Sequence, residues 1–207
     1  YVRSGYCPEN YSQTSIVVDP ASVGGTVSNA TICATSTATL NLTGRTGSVV
    51  RWEYSNAGST GPWTNVSNTT TSLTTPPLTA DRWYRAYVQS GTCAGTYSSV
   101  GKVTVNPLSV GGSVTGGSTV CQGSSSGLLT LGGGYVGTVQ RWQYSTNGGS
   151  SWTNISNTST TYTASGAMHS SPGTYWYRAV VKSGVCDEAY SAHTVVTVDP
   201  TTVPGSV

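Results

Sequence analysis

Short runs in which apolar and polar residues alternate at every second position recur along the whole chain, each bounded by Gly, Asn, Pro or Ser. That period fits strands with one buried face, because successive side chains of an extended chain point to opposite sides. No segment carries an apolar stripe at helical spacing. In Val49-Val50-Arg51-Trp52-Glu53-Tyr54 the pattern places Val50, Trp52 and Tyr54 on one face and Val49, Arg51 and Glu53 on the other. Val139 to Tyr144 repeats the run, so Trp52 and Trp142 are expected at the centres of two cores while the arginines reach water. Later runs, Arg82 to Val88 and Tyr175 to Val181, direct Tyr84, Ala86 and Val88, and Tyr177, Ala179 and Val181, inward. Ser-Gly-x-Cys follows each as a hairpin turn, and a strand returns over Tyr97 to Val105 or Tyr190 to Val198. Ala38 to Leu42 and Gly127 to Leu131 read as strands that enter the core.

These runs are copies of one unit. Tyr1-Val2-Arg3-Ser4-Gly5-Tyr6-Cys7 resembles Tyr87-Val88-Gln89-Ser90-Gly91-Thr92-Cys93 and Val180-Val181-Lys182-Ser183-Gly184-Val185-Cys186. Each copy is followed by an Asp-Pro or Asn-Pro junction, at Asp19, Asn106 and Asp199, 87 and 93 residues apart. A fixed spacing of this size marks a repeated small domain. The division is residues 1–18 as the tail of a preceding module, 19–105 and 106–198 as complete modules, and 199–207 as the start of another. A window from a longer tandem array is expected, with the junction prolines stiffening the string. About seven short strands in about 90 residues, a mid-module Trp and flanking cysteines imply an all-β chain of tandem immunoglobulin-like β-sandwiches, each with one disulfide.

Five cysteines sharpen the expectation. Cys33 and Cys93 occupy the same relative places in the first module as Cys121 and Cys186 in the second, so bridges Cys33 to Cys93 and Cys121 to Cys186 are predicted, in an oxidising compartment. Each would staple one end of its sandwich, and closing the 60-residue loop from Cys33 to Cys93 would contribute on the order of 4 kcal/mol in the chain-entropy model. Metal ligation is disfavoured by the lack of a C-x-x-C or Cys/His cluster. Cys7 matches Cys93 and Cys186, so it is expected to be unpaired in this window, its partner lying in the missing front of its module.

Together, Thr31-Ile32-Cys33 before a Thr/Leu strand, the Trp-x-Tyr-Ser strand, Trp-Tyr-Arg-Ala and Ser-Gly-x-Cys-x-x-x-Tyr-Ser resemble bacterial Ig-like repeats of large Bacteroidetes cell-surface proteins. These include gliding-motility adhesins exported by the type IX system. The resemblance implies cell-surface filaments or adhesins built from strings of sandwiches, located outside the cell, and it transfers no catalytic residue.

Composition narrows the partners. Only 8% of residues are charged, against roughly 25% in average globular chains, so Ser, Thr, Asn and Gly must keep the surface wet. A net charge of +2 with no Lys/Arg cluster argues against nucleic acid and anionic membranes. No apolar stretch approaches the ~20 residues of a membrane span. No cofactor is expected.

Several motifs read as structural. Ser145-Thr146-Asn147-Gly148-Gly149-Ser150-Ser151-Trp152 resembles the Asp-box with Asn in place of Asp, a turn whose polar side chain caps backbone N–H groups. Gly123-Ser124-Ser125-Ser126-Gly127 matches G-x-S-x-G, but no helix follows as a nucleophile elbow requires, and the first module has no histidine to match His169 and His193. Seven acidic residues, thinly spread, do not form the carboxylate pair of a glycosidase or the clustered oxygens of a calcium site. Sequons stand at Asn10, Asn29, Asn41, Asn65, Asn68, Asn154 and Asn157, where glycans would suit a surface fibre.

The candidate binding surface is the outward face of the two strongest strands: Arg51, Trp83, Arg85 and Tyr87 in the first module, Arg141, Trp176 and Arg178 in the second. Aromatics beside arginine could hold a polysaccharide or a neighbouring module, or form a self-contained ladder of cation–π contacts, Arg over Trp, across strands. The chain is therefore expected to be a non-catalytic structural or adhesive segment whose partners are adjacent repeats, other copies in a fibre or surface polysaccharide. Carbohydrate-binding or spacer modules of a secreted enzyme, and a filament subunit joined by strand addition through the hairpin Tyr1 to Val18, are the alternatives.

Overall fold

The computed structural model describes residues 15–202. The first module contains β1 (Thr26–Val27), β2 (Ala30–Cys33), β3 (Thr39–Thr43), β4 (Ser48–Ser55), β5 (Thr64–Val66), β6 (Ser72–Thr74), β7 (Arg82–Gln89), β8 (Thr96–Tyr97) and β9 (Gly101–Asn106). The second repeats them as β10 (Ser113–Thr115), β11 (Thr119–Cys121), β12 (Leu129–Gly132), β13 (Thr138–Ser145), β14 (Thr153–Ile155), β15 (Thr161–Tyr162), β16 (Gly173–Lys182), β17 (Ala189–Tyr190) and β18 (Thr194–Asp199). A 3-10 turn, Gly166–His169, precedes β16.

In each module a larger sheet faces a three-stranded one. The larger sheets run β2-β9-β7-β4-β5 and β11-β18-β16-β13-β14, with β8 and β17 added to β7 and β16, and the smaller run β1-β3-β6 and β10-β12-β15. The space between is filled by each module's own side chains. Trp52, Tyr84, Ala86 and Val88 are buried in one core, and Trp142, Tyr177, Ala179 and Val181 in the other, as the alternation predicts. Both indoles find acceptors, since Trp52 Nε1 donates to the Thr70 carbonyl and Trp142 Nε1 to that of Ser159, each at 2.9 Å. A buried Trp N–H left unpaired would be costly.

Two local departures have physical causes. The alternation at the start of β4 is offset by a bulge between Val49 and Arg51, so Val49 turns inward while Val50 is exposed. The same bulge in β13 buries Val139 and exposes Gln140. Beyond the bulge the two faces resume, but Glu53 is buried rather than wet. The returning strand is also broken, into β8 and β9 or β17 and β18, and a serine stitches each break. Ala86 N donates to Ser98 Oγ at 2.9 Å, and Ala179 N to Ser191 Oγ at 2.8 Å.

The direction of β2 decides the cysteine chemistry. It runs parallel to β9, with Cys33 opposite Asn106, and β11 runs parallel to β18, with Cys121 opposite Asp199. Because β7 is antiparallel to β9, the turn after β7 that carries Cys93 lies at the other end of the sandwich. The eight residues of β7 at ~3.3 Å each separate the two ends by upward of ~25 Å. A disulfide needs Cα atoms within roughly 7 Å.

Candidate functional site

The predicted bridges inside the modules are therefore not formed. Cys33 is bonded instead to Cys186 of the next module, with their Cα atoms 4.9 Å apart and a sequence separation of 153, while Cys93 and Cys121 are free. The expectation of one disulfide per sandwich is corrected to one disulfide across the two. Cys7 and Asn10 lie outside the described residues, as does most of the hairpin Tyr1 to Val18.

The bond sits in a polar clasp. Ala34 N donates to the Asn106 carbonyl at 2.8 Å, anchoring the end of β2 to the end of β9. The Asn106 side chain then crosses the junction, where its Oδ1 accepts from Val185 N at 3.1 Å in the Ser-Gly-x-Cys turn. Three residues on, Ser109 Oγ accepts from Ser183 N at 2.9 Å. Cys186 Sγ rests 3.2 Å from the Pro107 carbonyl. Gly184 has φ +50°, and a Cβ there would run into the Asn106 side chain, so this turn needs glycine for both reasons. Beside the bond an open cleft of about 560 Å³ is lined by Thr35 and Ser36 from one module and by Leu108, Val185 and Glu188 from the other. The junction Asx was visible in sequence, but only as a linker residue.

The same clasp recurs at the front of the first module. Asp19 Oδ2 accepts from Thr92 N at 3.1 Å, Ser22 Oγ accepts from Ser90 N at 2.9 Å, and Cys93 Sγ is 3.6 Å from the Asp19 carbonyl.

The arginine face exists, but its aromatic partners differ from those expected. Arg85 is held between Trp63 at 4.2 Å and Tyr97 at 3.7 Å, and Arg51 lies over Tyr87 at 4.4 Å. In the second module Arg178 is held between Trp152 at 3.9 Å and Tyr190 at 4.2 Å. Trp83 instead carries Lys102, 5.3 Å from its ring, and Trp176 stacks flat on His193 at 4.0 Å. The reason is register. Trp83 and Trp176 lie opposite Ser55 and Ser145, whereas Arg85 and Arg178 lie opposite Glu53 and Gln143, within reach of the turns that bring in Trp63 and Trp152.

Beneath the rings lies a polar seam. Glu53 accepts from Arg51 Nε and Arg85 Nε, both at 2.8 Å. Burial pushes the Glu53 carboxyl up, but the hydrogen bonds and charges of Arg85 and Arg51 outweigh it and hold it below the usual carboxylate range. The second module replaces this carboxylate with Gln143, whose Oε1 accepts from Arg178 Nε at 2.8 Å. There Arg141 turns to Glu188, making two bonds of 2.7 Å that hold that carboxyl low. Cation–π contacts of this kind stabilise by about 0.5–2 kcal/mol each, and here they are satisfied within the sheet. Sequence reasoning missed Trp63 and Trp152 because their contacts cross from turn to strand, and Glu53 because its arginines come from its own strand and, through the β4–β7 register, from the next one.

The remaining motifs are local architecture. Asn147 Oδ1 accepts from Ser151 N at 3.0 Å, which is the capping turn read from the Asp-box likeness. In the G-x-S-x-G segment the Ser126 hydroxyl accepts from Ala164 N at 2.8 Å and donates to the Gly127 carbonyl at 2.8 Å. Buried His169 lies 2.8 Å from the Ser124 carbonyl, not its hydroxyl, and 3.0 Å from Tyr177 Oη. Asn29, Asn41, Asn65 and Asn154 are exposed, whereas Asn68 and Asn157 are half-buried. Among the described residues no group of three His, Cys, Asp or Glu side chains could hold a metal ion, and no helix is long and apolar enough to cross a membrane.

Two immunoglobulin-like sandwiches in tandem, each with its own core and a covalent tie between them, define the class of this chain. It belongs to the family described as Domain of unknown function (DUF8696), which matches twice, at residues 23–107 and 110–200. No curated protein matches its sequence. Among solved structures it is similar to a marsupial T cell receptor, at 13% identity and a TM-score of 0.55, covering 87% of this chain and 75% of that one. A titin I-band fragment is similar at 14% identity and a TM-score of 0.53, with 89% and 67% covered. An adhesin with which an Antarctic bacterium binds ice aligns at 14% identity and a TM-score of 0.44; 87% of this chain spans 50% of that one. These likenesses are of fold.

Proposed function

We propose that the chain is a non-catalytic structural and adhesive segment of a long extracellular repeat protein, in which consecutive Ig-like modules are fastened end to end. The observation that carries this reading is the Cys33–Cys186 bond closing over the Asn106 clasp. A disulfide of this kind persists in an oxidising compartment, and a junction with a covalent tie, side-chain caps and a proline suits a string of fixed geometry. Resemblance to the Ig-like repeats of Bacteroidetes surface proteins, including type IX-exported gliding adhesins, favours a place on a cell surface. Surface polysaccharide has less support as a ligand, because Arg85 and Arg178 are already enclosed by Trp63, Tyr97, Trp152 and Tyr190.

Electron microscopy of the native protein tests the reading. A surface-exposed beaded strand is expected, whereas a compact particle with one enzymatic domain carrying these modules as an appendage would overturn it.

A further inference from the structure

The free cysteines stand in the same surroundings as the bonded pair. At the closed junction, one module offers a cysteine opposite an Asx residue, Cys33 and Asn106, and the next offers a Ser-Gly-x-Cys turn. The far end of the second module offers the first half of that arrangement again. Cys121 is exposed and lies opposite Asp199, which is also exposed and is followed by Pro200 and, three residues on, Thr202 in the place of Ser109. The near end of the first module offers the second half. Its Ser90-Gly91-Thr92-Cys93 turn already holds Asp19 as the later turn holds Asn106, and Gly91, at φ +49°, meets the Asp19 carboxylate as Gly184 meets the Asn106 amide.

We propose that Cys121 and Cys93 are the open halves of further disulfides of the same staggered kind, so that each module is bonded from its β2-type cysteine to the Ser-Gly-x-Cys turn of the module after it. Cys121 takes the turn cysteine of a following module, and Cys93 takes the β2-type cysteine of a preceding one. The partner is another module of this type in the same polypeptide, so the inference rests on the reading of the chain as part of a longer array. The Cys33–Cys186 bond is its precedent: the equivalent residues are bonded within this chain, with the same cap and the same flanking carbonyl. An accidental thiol would not need an Asx residue opposite it or a glycine shaped to receive one.

The bond forms by thiol–disulfide exchange with a disulfide of the oxidising compartment. The Cys121 thiolate attacks one sulfur of that donor and expels a thiolate, and the cysteine of the following turn, as thiolate, then attacks the Cys121 sulfur and expels the second. Two cysteine thiols lose their protons to solvent and become one disulfide, and the donor is reduced to two thiols.

Disulfide mapping of the full-length protein from its source tests this, using alkylation, non-reducing proteolysis and mass spectrometry. The expected spectrum contains Cys33 joined to Cys186 and Cys121 joined to a Ser-Gly-x-Cys peptide from the following module. Alkylated Cys93 and Cys121 in a protein that has flanking modules would overturn the lacing and leave the array standing. Cys33 joined to Cys93, or Cys121 joined to Cys93 of a second chain in a reducible ladder on gels, would overturn it too. A full-length protein without further modules would overturn the array itself.

Discussion

Asn106 accepts a hydrogen bond from the Val185 amide at 3.1 Å, so the last residue of β9 caps a turn of the next module. Replacing Asn106 with Ala leaves its backbone pairing with β2 intact and removes only the cap. The second module is expected to lose about 1 kcal/mol, a drop of a few degrees in its calorimetric transition. Gly184→Ala adds backbone strain at φ +50° to the collision and should cost more than the Asn106 variant. An unshifted transition in both variants would show that the cap contributes nothing to the second module.

Cys33→Ser separates the tie from the folds. Each module has its own buried core, so near-ultraviolet circular dichroism of both should stay native. What changes is the junction: distances between probes on the two modules should broaden, and the Cys186 thiol should become available to alkylation. A distribution as narrow as that of the native chain would mean that Asn106 and the proline alone fix the angle.

Acid should act on the modules unequally. Glu53 titrates below the ordinary range when folded, because Arg85 and Arg51 overcome its burial, so the unfolded chain binds its proton first. The stabilisation is complete above the unfolded carboxylate range, near pH ~4.3, and is lost as pH falls through the lower folded value. Gln143 deprives the second module of this buried carboxylate, and the Glu188 carboxyl that Arg141 holds low there is exposed and contributes less. Denaturant midpoints measured from pH 7 down to pH 2 should therefore fall more for the first module. In Glu53→Gln the fall should shrink without vanishing, because Asp81 is also held low by Lys102 and the Val105 amide.

Tyr84 and Tyr177 occupy matching core positions with opposite polar outcomes. The Tyr177 hydroxyl meets His169 Nε2 at 3.0 Å, while that of Tyr84 finds no hydrogen-bond partner among the described residues. Tyr177→Phe is expected to destabilise by about 1 kcal/mol or more, and Tyr84→Phe to be neutral or stabilising, as read by urea midpoints. Equal losses in both would assign the Tyr84 hydroxyl a partner.

The core was legible because Trp52, Tyr84, Ala86 and their copies obey a period of two, which depends on neighbours in sequence. Val49 and Val50 exchanged places because a bulge inserts one residue, and alternation cannot see the partner strand that makes it. The disulfide failed for a larger-scale version of that reason. Position within the repeat placed Cys33 near the start of its module, but the parallel pairing of β2 with β9 carries it to the end where the chain departs. Sequence proximity to the start and spatial proximity to the next module are then compatible. Of the arginine face, Arg51, Arg85 and Arg178 could be read from the strands, while Trp63 and Trp152, arriving from turns, could not.

Under tension the staggered bond reroutes the pull. Force entering the chain ahead of Cys33 crosses directly to Cys186 through two sulfur atoms, and the stretch between them, a sequence separation of 153, drops out of the stressed path. At ~3.4 Å per extended residue, that is roughly 500 Å of contour that stretching cannot release while the bond is intact. Both sandwiches can be pulled only by what lies outside the bond, so the linkage works as a mechanical bypass and turns two unfoldable beads into one nearly inextensible link.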